Sequence, residues 1–207
     1  VPAVLLTSAG ADFCSGADLS ALQKIADASV LENRDDARSM MELFVAMRRL
    51  PKPIVAAVRG RALAGGCGLA TACDIVLAAR SAQFGYPEVK IGFIPAMVMA
   101  ILRRSVTEKV AFELIVRGEP VAAERAAEVG LVTRVFEDEG FEEAVREYLR
   151  GLTSTSASAV ALSKYLLYHI DGMTFDAAIS SGADLNAIAR LTDDCQAGIA
   201  KFLKRSN

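Results

Sequence analysis

Two short segments of small residues could place backbone N–H groups against a carbonyl oxygen. The first is F-C-S-G-A-D at residues 13–18, and the second is L-A-G-G-C-G at residues 63–68, where a helix is predicted to begin. Small side chains let a substrate approach the backbone closely. Two converging N–H donors stabilise the negative charge that develops on a carbonyl oxygen when its α-carbon loses or gains a proton. The pair of segments therefore predicts an oxyanion hole.

Three motifs in this order resemble the signature blocks of the enoyl-CoA hydratase/isomerase superfamily, the crotonases. They are F-C-S-G-A-D at 13–18, P-K-P-I-V-A-A-V-R-G-R-A-L-A-G-G-C-G-L-A-T-A-C-D at 51–74, and F-G-Y-P-E-V-K-I-G-F-I-P at 84–95. The similarity continues through 117–118 and 122–132, so it covers nearly the whole chain. The resemblance implies an acyl-CoA thioester as the substrate, with no cofactor and no metal.

The resemblance assigns the reacting groups by position. The oxyanion donors fall on the N–H groups of Ser15 and Gly65, and a catalytic carboxylate falls on Glu88. Family hydratases use two glutamates, and the first of them corresponds here to Gly68, which has no side chain. One carboxylate can move a proton between carbons or orient water and then supply its proton. The pattern G-G-x-G-L at 65–69 with P-E-V-x-x-G-x-I-P-A at 87–96 resembles a bacterial branch that has Gly in place of the first Glu and is usually labelled a hydratase. We therefore predict a 2-enoyl-CoA hydratase, and a Δ3,Δ2-enoyl-CoA isomerase and a non-catalytic acyl-CoA-binding protein of the same fold remain alternatives.

The same resemblance predicts which residues surround the acyl group. Asp18 has a second interpretation, as the N-cap of the helix that follows it, and its short acidic side chain favours that role. The family's Gly-Ala-Gly-Gly after Ile-Pro is replaced by larger side chains at residues 96–99, which predicts a narrowed or reshaped pocket. The predicted substrate-binding residues are Gly16, Ala17, Asp18, Gly66, Gly68, Tyr86, Pro87, Phe93, Pro95 and Met97.

Cationic side chains are expected near the phosphates of coenzyme A. Lys24 is one candidate, although a solvated position on a helix explains it equally well. Phe202 with Lys204 or Arg205 resembles a C-terminal element that reaches a neighbouring subunit's coenzyme in relatives. The resemblance implies a homotrimer or a dimer of trimers. A hydrophobic content of 53% agrees with apolar surface buried between subunits.

Strand and helix patterns alternate along the first part of the chain, which favours an α/β layer fold. We predict strands at 3–8, 53–59, 74–79, 83–85 and 133–136, and helices at 19–28, 37–50 and 65–73, with the charged residues 31–36 as a flexible connection. From Thr107 onward the pattern is mostly helical, interrupted by the strand at 133–136. Helices are predicted at 140–152, 157–169, 175–190 and 193–205, with caps at Ser156, Thr174 and Thr192.

The resemblance turns this pattern into a specific architecture. It implies a crotonase (ClpP/crotonase-like) β-β-α spiral over residues 1–150, followed by a helical oligomerisation region over 151–207. The chain begins inside an apolar run, so we expect a strand and a helix of this spiral to precede it.

Charge and cysteine content argue against several other classes of protein. With 23 Lys and Arg against 25 Asp and Glu, the net charge of -2 creates no positive field for nucleic acid or an anionic membrane. The charge-free apolar run 91–102 is shorter than the roughly 20 residues of a membrane-spanning helix. The four cysteines have no CxxC spacing, which predicts reduced thiols in a cytoplasmic protein.

Two other enzyme classes fit poorly. A Clp-type protease needs a histidine in its triad, and the single histidine, His169, lies among Leu and Tyr residues of a C-terminal helix. A Rossmann dehydrogenase would carry G-x-G-x-x-G after its first strand, and the first apolar run is not followed by that fingerprint.

Overall fold

The structure is a computed structural model that describes residues 3–205, except for the side chains of Leu19, Ala21, Leu22 and Arg205. The chain divides into two compact units. The larger unit comprises residues 5–47 and 54–145. The smaller unit comprises 48–53 and, among the described residues, 3–4 and 146–205.

Seven strands and ten α-helices form within the described residues. The strands are β1 Val4–Leu6, β2 Ile54–Val58, β3 Arg61–Leu63, β4 Ile75–Ala79, β5 Gln83–Gly85, β6 Val121–Ala122 and β7 Arg134–Phe136. The helices are α1 Leu19–Asp27, α2 Val30–Arg49, α3 Gly65–Thr71, α4 Ala96–Ser105, α5 Glu108–Arg117, α6 Ala123–Glu128, α7 Phe141–Thr153, α8 Ala157–His169, α9 Phe175–Ala189 and α10 Asp193–Arg205. A 3-10 helix covers Pro87–Ile91.

The strands form two sheets, which confirms the α/β prediction. The first has the order β1-β2-β4-β7, with parallel pairing of β2 to β4 and of β4 to β7. All five residues of β2 are buried, and Val55, Val58 and Leu77 have no accessible surface. Strands covered on both faces become continuous apolar runs, as the sequence of β2 shows. The second sheet has the order β3-β5-β6, with β3 parallel and β6 antiparallel to β5.

The flexible connection predicted at residues 31–36 is wrong, because these residues belong to α2. A capping box starts this helix early. The Glu32 carboxylate accepts a hydrogen bond from the Ser29 N–H at 2.8 Å, and the Ser29 hydroxyl accepts one from the Glu32 N–H at 3.3 Å. The charges that suggested a loop lie on the mostly exposed surface of a helix.

Hydrogen bonds from side chains hold the smaller unit's helices. Ser156 caps α8 by accepting from the Ala159 N–H at 3.1 Å, as predicted. Asp194 of α10 accepts from the Ser156 and Ser158 hydroxyls at 2.7 and 2.8 Å. Buried Lys164 donates from Nζ to the Lys52 carbonyl at 2.9 Å. The four C-terminal helices were predicted to within one residue at each end.

Three elements were absent from the sequence prediction: α4, the 3-10 helix and the two-residue strand β6. The apolar residues of α4 are not separated into clear helical faces, and β6 has too few residues to show alternation. Thr192 caps α10 through its hydroxyl, whereas Thr174 occupies the N-cap of α9 without a side-chain hydrogen bond. Within residues 3–205, no helix has the length and apolar character needed to cross a membrane.

Candidate active site

The smaller sheet brings the three motifs to one edge. Cys14 forms a parallel bridge with Ala62 of β3, and β3 is parallel to β5. The carboxyl ends of these three extended segments therefore lie at the same edge, where α/β folds place their ligand sites. Ser15 follows the bridge, Gly65 follows β3 after one residue, and Glu88 follows β5 after two.

Backbone contacts fix the first turn against the second. The Leu63 N–H donates to the Cys14 carbonyl at 2.9 Å, and the Cys14 N–H donates to the Arg61 carbonyl at 3.1 Å. A Cβ on Gly66 would lie 2.2 Å from the Cys14 oxygen. Gly16 has φ +102°, and its Cβ would lie 3.5 Å from the Gly65 nitrogen. Glycine at these positions is what lets the two turns meet.

The residue between β3 and α3 has a strained backbone. Ala64 has φ 51° and ψ -130°, and it is the only non-glycine residue with positive φ within the described part of the chain. Its N–H donates to the Gly85 carbonyl at 2.9 Å, which ties the start of α3 to the end of β5. Strain of this kind persists where the surrounding structure imposes it, and it clusters at functional sites.

The two predicted oxyanion donors have no acceptor in the part of the chain that the structure describes. Among the described residues, no oxygen accepts a hydrogen bond from the N–H of Ser15 or of Gly65. Gly65 is the first residue of α3, where a backbone N–H lacks an intrahelical partner. Ser15 is exposed, and Gly65 is partly exposed. Both groups are therefore available to a carbonyl oxygen at this edge of the sheet.

A buried polar cluster connects α3 to the segment that carries Glu88. The Thr71 hydroxyl donates to the Cys67 carbonyl at 2.7 Å and lies 2.7 Å from the Tyr86 hydroxyl. Because Thr71 has one hydroxyl proton, Tyr86 is the donor in the second bond. Burial raises the pKa of the Cys67 thiol to about 12, so the thiol is neutral. Neither Thr71 nor Cys67 was predictable from the sequence as a supporting residue.

Glu88 is buried, and one oxygen of its carboxyl group has no hydrogen-bond partner. The residue is 9% exposed, and its Oε2 has no hydrogen bond within the described structure. Burial raises the pKa of Glu88 above its ordinary value of 4.5, because desolvation disfavours the charged form. The sequence also allows a solvated Glu88 in a surface salt bridge with the nearby Lys90, and the burial of Glu88 contradicts that alternative. A buried carboxyl group with a raised pKa and one unpaired oxygen is suited to proton transfer.

Beside Gly68 the space is filled by a side chain from α4. A Cβ on Gly68 would lie 2.2 Å from Cγ2 of Val98, which is itself 5% exposed. The sequence showed that residues 96–99 are larger than usual in the family, but it did not identify this contact.

The other predicted acyl-binding residues have varied environments. Tyr86 has no accessible surface, and its hydroxyl forms a hydrogen bond with the Thr71 hydroxyl. It therefore packs beneath the site rather than lining an open pocket. Asp18 caps α1 by accepting from the Ser20 N–H at 2.8 Å, which is the second role considered for it. The remaining three motif residues near α4 differ in exposure: Phe93 is exposed, Met97 is partly exposed and Pro95 is buried.

The candidate coenzyme A contacts lie elsewhere in the chain. Lys24 is exposed on α1 and lines a surface cavity of about 510 Å³. Asp27, Glu32 and Asp36 line the same cavity, and their charges oppose a phosphate group. Phe202 and Lys204 are exposed near the end of α10.

Across residues 3–205, no group of three or more His, Cys, Asp or Glu side chains could hold a metal ion.

Comparison with known proteins identifies the family. The family described as enoyl-CoA hydratase/isomerase matches residues 1–207. A candidate enoyl-CoA hydratase of Thermus thermophilus is 39% identical over 205 residues, which cover 99% of this chain and 81% of that protein. The crotonyl-CoA hydratase of Syntrophomonas wolfei is 32% identical over 207 residues, which cover 99% of this chain and 78% of that protein.

A solved structure gives the same result for the fold. The crystal structure of an enoyl-CoA hydratase from Mycobacterium smegmatis superposes with a TM-score of 0.94 at 30% identity, covering 99% of this chain and 79% of that one. The chain therefore belongs to the enoyl-CoA hydratase/isomerase family and has the crotonase fold, as its motifs predicted.

Proposed function

We propose that this chain hydrates 2-enoyl-CoA thioesters, with Glu88 as its catalytic carboxylate and the N–H groups of Ser15 and Gly65 as its oxyanion hole. The observation that carries the proposal is the buried Glu88 carboxyl group, whose Oε2 has no hydrogen-bond partner and which follows β5 at the edge where both free N–H groups lie. The names of the relatives, among them crotonyl-CoA hydratase, support a short 2-enoyl-CoA as the first substrate to test.

In the proposed hydration, one carboxylate performs two proton transfers. Ionised Glu88 takes a proton from water as the water oxygen bonds to C3 of the enoyl group. The electrons of the C2=C3 bond move toward the thioester, and the two N–H donors stabilise the charge on its oxygen. Protonated Glu88 then gives its proton to C2, which restores the carboxylate and completes the addition of water.

Isomerisation of 3-enoyl-CoA is the second candidate, and one observation favours it. Val98 fills the space beside Gly68, so no second carboxylate stands on that side of the site to orient water. In this reaction Glu88 removes a proton from C2, the double bond moves from C3=C4 to C2=C3, and the proton returns at C4. The same two N–H groups stabilise the intermediate enolate.

Binding and assembly complete the proposal. The acyl-CoA partner is held at the oxyanion edge, and Phe202 with Lys204 contacts the coenzyme of a neighbouring subunit in a homotrimer or dimer of trimers. Exposed apolar side chains of the smaller unit support assembly; they include Leu167 of α8, Phe175 and Ile179 of α9, and Leu191 between α9 and α10. Light scattering after gel filtration tests this part, and a mass three or six times that of the chain is expected.

The activity is tested with two substrates and one binding measurement. Loss of the conjugated enoyl absorbance reports hydration of a short 2-enoyl-CoA, and its appearance reports isomerisation of the matching 3-enoyl-CoA. We expect hydration to have the higher kcat/KM. Faster isomerisation would assign the chain to the second candidate function. Binding of acyl-CoA without either reaction would identify a non-catalytic protein and contradict both candidates.

A further inference from the structure

Gly68 and Val98 occupy one shared volume. An ideal Cβ on Gly68 would lie 2.2 Å from Val98 Cγ2 and 3.3 Å from both Cβ and Cγ1 of Val98. Valine in a helix has one strongly preferred χ1 rotamer, so it does not readily turn its methyl group away. Val98 is buried on α4, and α3 and α4 pack against each other. A side chain at residue 68 and the valine cannot coexist without movement of one of these helices.

The shared volume lies beside the predicted oxyanion donor. Gly65 and Gly68 are three residues apart on α3, so they lie on the same helix face. A Cα–Cβ bond in a helix tilts toward the N-terminus, so a side chain at residue 68 would point back along this face toward Gly65. The Val98 methyl group lies where that side chain would begin.

We propose that Val98 is a specificity-determining residue of this site. It supplies from α4 the apolar wall that replaces a side chain at residue 68, and so it excludes a second carboxylate and leaves proton transfer to Glu88 alone. The inference rests on the proposed function of Glu88 for its chemical part. Its steric part rests on the Gly68 and Val98 contact.

A second carboxylate would change hydration more than isomerisation. It would accept the water proton while the water oxygen bonds to C3, and protonated Glu88 would supply the proton to C2. Proton exchange between the two carboxyl groups would then reset the site. Isomerisation needs only the exchange between Glu88 and the substrate carbons, so its rate gains nothing from this addition.

The steric part is tested by a double-mutant cycle on thermal stability. Gly68→Ala is expected to lower Tm by roughly 2 to 12 °C. In the Val98→Ala background, Gly68→Ala should cause at most a small further decrease. Val145→Ala is the matched control, since Val145 is a buried helical valine, 3% exposed, that a Cβ on Gly68 would not meet. An equal effect of Gly68→Ala in both valine-to-alanine backgrounds would overturn the proposal.

The chemical part is tested by Gly68→Glu with and without Val98→Ala. We expect Gly68→Glu alone to lose stability and activity. In the double variant, the ratio of hydration to isomerisation kcat/KM should exceed that of the wild type by at least about tenfold. An unchanged ratio in a double variant with restored Tm overturns the specificity role. Absence of both reactions in the wild type overturns the proposed function. The double-mutant cycle on Tm still decides whether Val98 excludes a side chain at residue 68.

Discussion

Gly66→Ala should separate the two turns that hold the proposed oxyanion donors. The added Cβ would lie 2.2 Å from the oxygen, 2.6 Å from the carbon and 2.7 Å from Cβ of Cys14, whereas ordinary contacts begin at 3.4 Å. The closest atoms are backbone, so no rotamer change relieves the overlap, and the turns must separate by about 1 Å. A displacement of that size at a reacting geometry lowers rates about 100-fold.

Stability should fall in the same variant. Overpacking in a core costs roughly 1 to 3 kcal/mol, and a backbone clash belongs at the upper end. About 3 kcal/mol corresponds to a Tm decrease of roughly 6 to 12 °C in a chain of this size. The helix propensity of alanine offsets less than about 1 kcal/mol of this.

The assay compares kcat/KM for 2-enoyl-CoA hydration and Tm in Gly66→Ala and a matched variant, Gly182→Ala. Gly182 lies in α9, and nothing lies within 4 Å of a Cβ placed on it. The control should keep its activity and keep or raise its Tm. A Gly66→Ala variant with wild-type activity and Tm would refute the proposed contact between the turns.

Three further predictions concern the carboxylate and its supports. Because burial raises the folded-state pKa of Glu88 above 4.5, the unfolded chain ionises first as pH rises, and stability is lost between 4.5 and the folded pKa. Glu88→Gln should therefore raise Tm relative to wild type at pH 7, and should raise it by less at pH 4. A larger increase at pH 4 than at pH 7 would contradict the burial of the Glu88 carboxyl group. Tyr86→Phe removes the hydrogen-bond donor to Thr71 and should lower the free energy of unfolding, measured with urea, by roughly 1 kcal/mol. An unchanged urea midpoint would contradict a buried hydrogen bond between these two hydroxyls. Ala64→Gly relieves a positive φ of 51° and should stabilise by roughly 1 kcal/mol, so a destabilised variant would argue against strain there.

The glycine-containing motifs allowed the close approach of the two turns at the candidate active site to be predicted. Glycine at residues 16 and 66 is required by contacts with the facing turn, so the sequence carries the closeness of the two segments directly. The strands could be predicted for a similar reason, since burial on both faces requires apolar runs such as β2. The resemblance to the family then supplied the architecture, which the solved structure of a relative confirms.

Features that depend on distant partners were not predictable. The Gly68 and Val98 contact joins residues on α3 and α4, and neither residue type indicates the other. The charged residues at the start of α2 show no apolar periodicity, so they suggested a loop. The helix begins there because Ser29 and Glu32 form a capping box. The burial of Glu88 also depends on its neighbours in the fold, since the residue type alone predicts a solvated side chain for a glutamate.

The measurement that tests the central claim most directly is kcat/KM for hydration of a short 2-enoyl-CoA by wild type and Glu88→Gln. Glu113→Gln serves as the control, because Glu113 is an exposed glutamate on α5. We predict a loss of about 10²- to 10⁴-fold for Glu88→Gln, with acyl-CoA binding retained, and no loss for Glu113→Gln. A Glu88→Gln variant that hydrates the substrate as fast as wild type would contradict the assignment of Glu88 as the catalytic carboxylate.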